Sequence, residues 1–591
     1  MASEEEVLGK AYDGRLMRRL LGYLRPYRRL VVAALGALIG GSALALAQPY
    51  LMKIAIDRYI ANHDLAGLNL VALGYLGVLL GAFVFEFLQT YILQYVGQRI
   101  MFDMRMQIYG HLQRLDVAFY DRNPVGRLMT RVTTDVDALN DLFTAGVVAV
   151  FGDIFTLAGI MIVLLVMDWR LALVAFSVLP LIVLITQWFR RNVRDSYRTV
   201  RSWIAKINSF LQENITGMAT VQVFRREGRN YGRFDAINLG HRDANIESIF
   251  YYAVFYPAIE VVGALATALI IWWGGGYVVQ ATVTLGELVA FLQYSQRFFR
   301  PISDMSEKFN VLQSAMAASE RIFKLIDTPV SVVSGTASAP SPWRGHVVFD
   351  HVSFAYNADE CVLRDVSFEV KPGERVGIVG ATGAGKSTII NLLMRFYDVS
   401  QGRVLMDGVD IRELDVAQLR RLFGLVLQDV HVFSGTIGGN IRLGDAGIDD
   451  ERINGVLEAV HADQFVARLP QGLETPVAER GATLSTGQKQ LLSFARALAF
   501  DPRILILDEA TSSVDTETEL LIRDALHAMM AGRTTIAIAH RLSTIQDMDK
   551  ILVLHKGHLR EAGTHQELLA QRGIYYRLYQ LQYQEQEARA S

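Results

Sequence analysis

The chain has 591 residues, 51% of them hydrophobic, with 58 Lys and Arg against 60 Asp and Glu. That length exceeds one domain, and a net charge of −2 gives no bulk affinity for nucleic acid, which is excluded as a partner. A single cysteine, Cys361, excludes an intrachain disulfide and fits a reducing compartment.

The hydrophobic excess lies in the first half. Met1 to Glu6 is acidic, and an amphipathic basic segment follows, with Arg15, Arg18, Arg19, Arg25, Arg28 and Arg29. The apolar run that begins at Leu30 is too long for the core of a cleavable signal and reads as a membrane anchor that stays. A bilayer core takes about 20 apolar residues of helix. Six stretches reach that length, approximately 30–52, 68–93, 143–167, 171–189, 250–273 and 283–300. Soluble core helices are the alternative, and six such runs in one half of a chain argue against it.

Lys and Arg set the orientation. The N-terminal segment, residues 99–131 and residues 190–233 are rich in Arg, whereas Asn62-His63-Asp64, Asp168-Trp169-Arg170 and Gly274 to Gly286 are poor in positive charge. Both termini and the second half are therefore expected in the cytoplasm, which makes this a multi-pass protein of the cytoplasmic (inner) membrane. The two basic connections are helical in pattern and should extend well past the bilayer, with elbows near Leu115 to Asn123 and near Trp203 to Glu213. Within the spans lie the ionisable residues Glu86, Asp153 and Glu260. Intramembrane charge is costly and points to function. The fifth and sixth spans are rich in aromatics, Tyr256 and Tyr294 among them. Glu86, Glu260, Tyr256 and Tyr294 are expected at a cavity for hydrophobic or amphipathic small molecules, cationic ones included, through stacking and cation–π contact. Packing between helices is the alternative for each.

Pro301 to Asp327 continues the sixth helix, and Thr328 to Trp343 is a Ser/Pro/Ala/Gly linker without hydrophobic period. The expected plan is a six-span all-α membrane domain over 1–327, a linker over 328–344, an α/β P-loop NTPase domain over 345–581 and a solvated tail over 582–591.

Val347 to Phe354 and Val362 to Val370 read as strands leading into Arg375 to Val379, a further apolar strand. Gly380-Ala381-Thr382-Gly383-Ala384-Gly385-Lys386-Ser387-Thr388 follows, and it fits G-x-x-x-x-G-K-[ST] between a strand and a helix. Glycines let the backbone wrap a triphosphate with its N–H groups facing the oxygens at the positive end of a helix. Lys386 reaches the β/γ-phosphates, and Ser387 holds Mg²⁺. Ile504 to Asp508 is an apolar strand ending in Asp508-Glu509. Asp508 is placed to hold Mg²⁺, and Glu509 stands where a general base for water would.

Between these motifs lies Leu484-Ser485-Thr486-Gly487-Gln488, ahead of the helical stretch Lys489 to Ala499. Here the chain resembles an ATP-binding cassette exporter half-transporter, six membrane helices fused to one nucleotide-binding domain. Leu484 to Gln488 resembles the family signature L-S-G-G-Q. The resemblance implies that Tyr356 stacks on adenine, that Gln428 touches Mg²⁺ and senses the membrane domain, that Glu479-Arg480-Gly481 precedes the signature, that Ser513-Val514-Asp515 is the D-loop and that His540 contacts the γ-phosphate. It further implies ATP and Mg²⁺ as cofactors, and a dimer in which Ser485, Thr486, Gly487 and Gln488 face the partner's ATP. The implied function is ATP-driven export or flipping of hydrophobic or amphipathic molecules, drug or lipid, by alternating access; a lipid flippase or peptide exporter acting as a homodimer is the alternative. Thr486 stands where the family has Gly, beside an otherwise intact set of ATP-site residues. That combination resembles one subunit of bacterial heterodimeric multidrug exporters, with the homodimer as runner-up.

Overall fold

The structure, a computed structural model, describes residues 13–337, 342–357, 360–508, 516–538 and 545–581. The chain divides into two compact units. One runs to Gln113 and from Val125 to Thr328; the other combines Arg114–Pro124 with the chain from Pro329 onward.

The first unit is helical. After α1 (Gly14–Gly22), its long helices are α2 (Arg28–Ile54), α3 (Leu65–Leu112), α4 (Val148–Met167), the pair α5 (Trp169–Phe176) and α6 (Leu179–Thr216), α7 (Glu227–Val279) and α8 (Leu285–Ile326). Polar residues at the turns start them. Asp64 caps α3 by accepting the N–H of Gly67 at 3.0 Å, and Asp168 caps α5 through that of Leu171 at 2.8 Å. Thr284 and Glu287 form a reciprocal capping box at α8. Among the described residues, five helical stretches are long and apolar enough to cross a membrane. The most apolar window of α3 buries none of its residues inside the unit, which in water would leave a large apolar face uncovered. The sixth helix, α8, is more polar and lies deeper: Ala290, Phe291 and Tyr294 have no exposed surface.

The first expected elbow falls where the structure breaks, between α3 and a short helix Val117–Arg122. The second needs correction. Trp203 to Glu213 is uninterrupted α6, and the turn comes later, at Gly217 and the single helix Met218–Val223. The stretch 203–213 carries an amphipathic pattern without a breaker; Gly217 is the breaker.

Polar residues in the bundle are spent on its own packing. Asp153 of α4 pairs with Lys308 of α8. Pro49, inside α2, has no N–H, so the carbonyl of Ala45 loses its helical donor. Arg297 of α8 takes that place, with Nη1 donating to the Ala45 carbonyl at 2.5 Å and Nη2 to Gln48 Oε1 at 2.7 Å. Tyr294, expected at a substrate cavity, is instead fully buried and donates its hydroxyl to the Leu46 carbonyl. Glu86, Tyr256 and Glu260 are exposed on this chain. Replacing Arg297 by Met leaves the Ala45 carbonyl unpaired and is expected to cost about 1–3 kcal/mol. In a Pro49→Ala background the restored N–H supplies a donor, and the penalty shrinks. A double-mutant cycle on thermal unfolding reads the difference. Equal penalties in both backgrounds would mean that the carbonyl is not what Arg297 serves.

The second unit is built on two large sheets, beside a small antiparallel pair of Gly435–Thr436 with Pro476–Val477. Strands β1 (Val347–Asn357), β2 (Glu360–Val370), β3 (Arg375–Val379), β4 (Gln401–Met406) and β5 (Val409–Asp410) come first in the chain. The first sheet is antiparallel, in the order β2-β1-β4-β5. The second contains β3 with β6 (Phe423–Val426), β7 (Ile504–Asp508), β8 (Thr534–Ile538), β9 (Lys550–His555) and β10 (His558–Gly563), in the order β10-β9-β3-β8-β7-β6. All its pairs are parallel except β9 with β10. The inner strands are buried on both faces, and for this reason they read as continuous apolar runs rather than alternating ones. Crossovers between parallel strands carry every carboxyl end to one edge, which is where open α/β sheets bind ligands.

Candidate nucleotide site

The loop 380–385 leaves β3 at that edge and enters helix α9 (Lys386–Leu393). Its tight turn is closed by Ala384 N–H donating to the Ala381 carbonyl at 3.0 Å. Two glycines are required by contact. A Cβ on Gly380 would lie 2.4 Å from the Leu554 carbonyl of β9. One on Gly385, whose φ is +101°, would lie 2.7 Å from Leu363 of β2. Gly385 caps α9 without a side chain, so the first N–H groups of the helix have no side-chain cap and face the loop mouth. Lys386 is buried, and its ammonium donates to the carbonyls of Gly380 at 2.8 Å and Ala381 at 3.2 Å. Thr382, Gly383 and Ser387 are exposed at the rim, while Ala384 and Thr388 are buried behind it.

Asp508 ends β7 level with the loop. Ile538 of β8 pairs with Asp508 on one side and Ile378 on the other, which sets the Asp508 backbone two strand spacings, about 10 Å, from the P-loop strand. Burial raises the pKa of Asp508, and the charge of Lys386 opposes the rise. A half-buried carboxylate at this edge, with the Ser387 hydroxyl and the exposed Gln428 amide on neighbouring segments, is a hard oxygen donor set that fits Mg²⁺. Gln428 follows β6, whose Val426 pairs with Leu507. Tyr356, at the end of β1, donates its hydroxyl to Thr388 Oγ1 at 3.2 Å and accepts from Asn391 Nδ2 at 3.1 Å.

Three residues were not legible as part of this neighbourhood. The helix Val117–Arg122 belongs by its contacts to this unit. Its Arg122 donates to the Tyr356 carbonyl at 2.9 Å, and Tyr397, edge-on to Tyr356, bonds to Asp121. Burial, then that carboxylate, raises the pKa of Tyr397. Nothing local in the sequence ties positions 121 and 122 to 356 and 397; the only signal was that a projecting helical connection needs a surface to meet.

The signature stretch starts a helix of its own. Ser485 caps helix α10 (Thr486–Ala499) in a capping box with Gln488, and Thr486 is its exposed first residue, in ordinary helical backbone. Gly487 is buried. No hydrogen bond among the described residues joins 485–488 to 380–388. Glu509, Asp515 and His540 lie outside the described residues, though Glu509 directly follows β7 and Ala539-His540 directly follow β8.

A P-loop at the carboxyl edge of a parallel sheet, in one chain with a bundle of membrane-length helices, defines a nucleotide-driven membrane transporter. Family models agree: residues 31–302 match the ABC transporter transmembrane region and residues 363–512 match ABC transporter. The probable multidrug resistance ABC transporter YheH of Bacillus subtilis is 39% identical over 92% of this chain and 81% of its own length. The ATP-dependent lipid A-core flippase of Syntrophus aciditrophicus is 36% identical over 96% of this chain and 95% of its own. The solved structure of a bacterial Atm1-family ABC exporter with ATP bound superposes with a TM-score of 0.78 at 31% identity, covering 94% of this chain and 98% of that one. The chain belongs to the ABC transporters. It is a multi-pass membrane protein of the exporter type and an ATP-hydrolysing transport ATPase, and the exporter fold implies that it works as a dimer.

Proposed function

We propose that this chain is one half of a heterodimeric exporter of the cytoplasmic membrane, with its ATPase unit in the cytoplasm, that moves hydrophobic or amphipathic molecules outward by alternating access. Two relatives of nearly full-length similarity, one named for multidrug resistance and one for lipid A-core flipping, support that substrate class. The domain plan of the proposal is a membrane domain over 1–327 and a nucleotide-binding domain over 345–581.

Within this reading the loop 380–388 binds the triphosphate, Lys386 neutralises its terminal charge and Tyr356 orients the base. Ser387, Gln428 and Asp508 would hold Mg²⁺, which neutralises phosphate charge when bound. Glu509 receives the proton of the attacking water, and His540 holds the terminal phosphate. Ser485, Thr486, Gly487 and Gln488, with Asp515, face the site of the partner. The observation that carries the dimer is the full-length likeness to an exporter with ATP bound, together with the lack of any hydrogen bond among the described residues between the signature and the chain's own loop, so that a second chain completes each site. Thr486 favours a different second chain. The capped start of α10 tolerates threonine without strain, so the substitution weakens rather than abolishes the site it faces.

The test is native mass spectrometry of the complex drawn gently from its own membrane, followed by ATP-dependent uptake of a fluorescent amphiphile into inverted vesicles. Two different chains with uptake support the proposal. Two copies of this chain overturn the heterodimer, and absence of uptake for drug-like and lipid probes alike overturns the substrate class.

A further inference from the structure

The basic segment ahead of the first span has more order and less neutralisation than orientation in the membrane requires. In α1, Arg15 and Arg18 share one exposed face, while Leu20 is buried on the other side. Arg25, Arg28 and Arg29 repeat the spacing across the start of α2 and are exposed. None of these five arginines has an ion pair or hydrogen bond from its guanidinium among the described residues. The nearby carboxylates are engaged elsewhere. Asp13 caps α1 through the N–H of Arg15 at 2.7 Å. Asp103 takes the Tyr27 hydroxyl at 2.7 Å. Asp327 takes both Nη groups of Arg19, at 2.6 and 2.7 Å, with that guanidinium also stacked over Phe323.

The segment is also fixed in place. Tyr23 and Tyr27 bond to Gln107 and Asp103, four residues apart on α3, and Arg19 clamps the end of α8. Five exposed guanidinium groups are thus held by three tethers where the first apolar span begins. Guanidinium matches phosphate in geometry, and a basic amphipathic segment at a bilayer surface attracts anionic lipid.

We propose that Gly14 to Arg29 is a binding surface for anionic phospholipid headgroups, read by Arg15, Arg18, Arg25, Arg28 and Arg29 but not by Arg19. Each basic residue near such a surface strengthens attraction roughly fivefold. The full-length complex is reconstituted in nanodiscs of phosphatidylcholine containing phosphatidylglycerol, and the enrichment of phosphatidylglycerol around the protein is measured by native mass spectrometry at low and high salt. Enrichment of at least about tenfold at low salt, fading at high salt, is expected for the unaltered protein. Replacing all five arginines by Gln should remove it, and replacing only Arg15 and Arg18 should reduce it by half or more. Lysine at all five positions should keep most of it, since the attraction is electrostatic. Arg19→Gln should leave enrichment within about twofold, because that charge already answers Asp327. Thermal unfolding identifies any variant that has lost its fold, and the Arg15/Arg18 pair stands in if the fivefold variant has. Unchanged enrichment in the Gln variants overturns the proposal, as does a loss in Arg19→Gln equal to that in Arg18→Gln. Enrichment that appears only when residues 2–6 are deleted also overturns it, because the acidic N-terminus would then be the occupant.

Discussion

Replacing Lys386 by Met is expected to lower ATP turnover by about 10²–10³-fold, the loss typical when one preorganised stabiliser of transition-state charge is removed. Lys386 is buried, and two backbone carbonyls hold its ammonium, so its position at the loop mouth is set before nucleotide arrives. Methionine keeps the length and removes the charge. The fold should survive, because the loop is shaped by the close approach of Gly380 to Leu554 and of Gly385 to Leu363, not by the lysine. A second consequence follows at Asp508, whose carboxyl is pushed up by burial and pulled back by Lys386. Without the lysine its pKa rises further. A group whose folded pKa is raised favours the protonated form to higher pH, so residual activity that needs the carboxylate should shift toward more alkaline conditions. Turnover in nanodiscs across pH is the measurement. A variant within about fivefold of the parent would remove Lys386 from the proposed machinery. Glu509→Gln offers the contrast: hydrolysis should fall comparably while ATP binding persists.

Arg496→Ala is expected to destabilise the ATPase unit by about 3 kcal/mol, as much as truncating a core side chain. Arg496 lies on α10, eleven positions after the signature serine in the sequence. Its guanidinium donates to the Asn440 carbonyl at 2.9 Å, the His431 carbonyl at 2.9 Å and Asn440 Oδ1 at 3.1 Å. Burial lowers its pKa, a sign that solvent does little for this charge and that the acceptors do most. Truncation leaves the Asn440 and His431 carbonyls without that donor, while Asn440 Oδ1 keeps the Phe433 N–H at 2.8 Å, and such losses cost about 1–3 kcal/mol each without adding fully. In a unit of this size 3 kcal/mol corresponds to roughly 6–12 °C in melting temperature. Lysine should rescue only part, since one ammonium cannot reproduce a planar fork aimed at three acceptors. A melting curve of the full-length protein decides it, and a shift under about 2 °C would mean that the helix is held by its apolar face alone. That face is substantial: Leu491, Leu492, Phe494, Ala495 and Leu498 all lie in the core.

The local code of this chain was readable where a short stretch carries its own physics. The glycine and lysine spacing of 380–388 required a strand before it and a helix after it, and β3 and α9 stand there. Ile504 to Asp508 read as a buried strand because a parallel sheet covered on both faces needs no alternation. Lys489 to Ala499 read as helix, and it forms, with Ser485 and Gln488 closing a capping box at its start. Apolar length alone marked the spans, since a helix that satisfies its own backbone and exposes only hydrocarbon suits lipid.

Tertiary structure decided what depends on partners far apart in the chain. Nothing near Arg297 in the sequence gives it a role; only the approach of α8 to the proline in α2 shows which carbonyl it serves, 252 positions away. Tyr294 looked like a cavity aromatic and is instead a buried strut, because its hydroxyl found the Leu46 carbonyl. The second elbow lay at Gly217 rather than in 203–213, since amphipathic pattern says where a helix packs, not where it turns. Arg122 and Asp121 reached Tyr356 and Tyr397 through a contact no periodicity encodes. The sequence by itself determined the elements, the membrane and the phosphate loop, because each rests on residues within one turn or one span of each other. The fold alone decided which charges are already answered and which remain free, because a charge is satisfied by whatever the folded chain brings within hydrogen-bond reach.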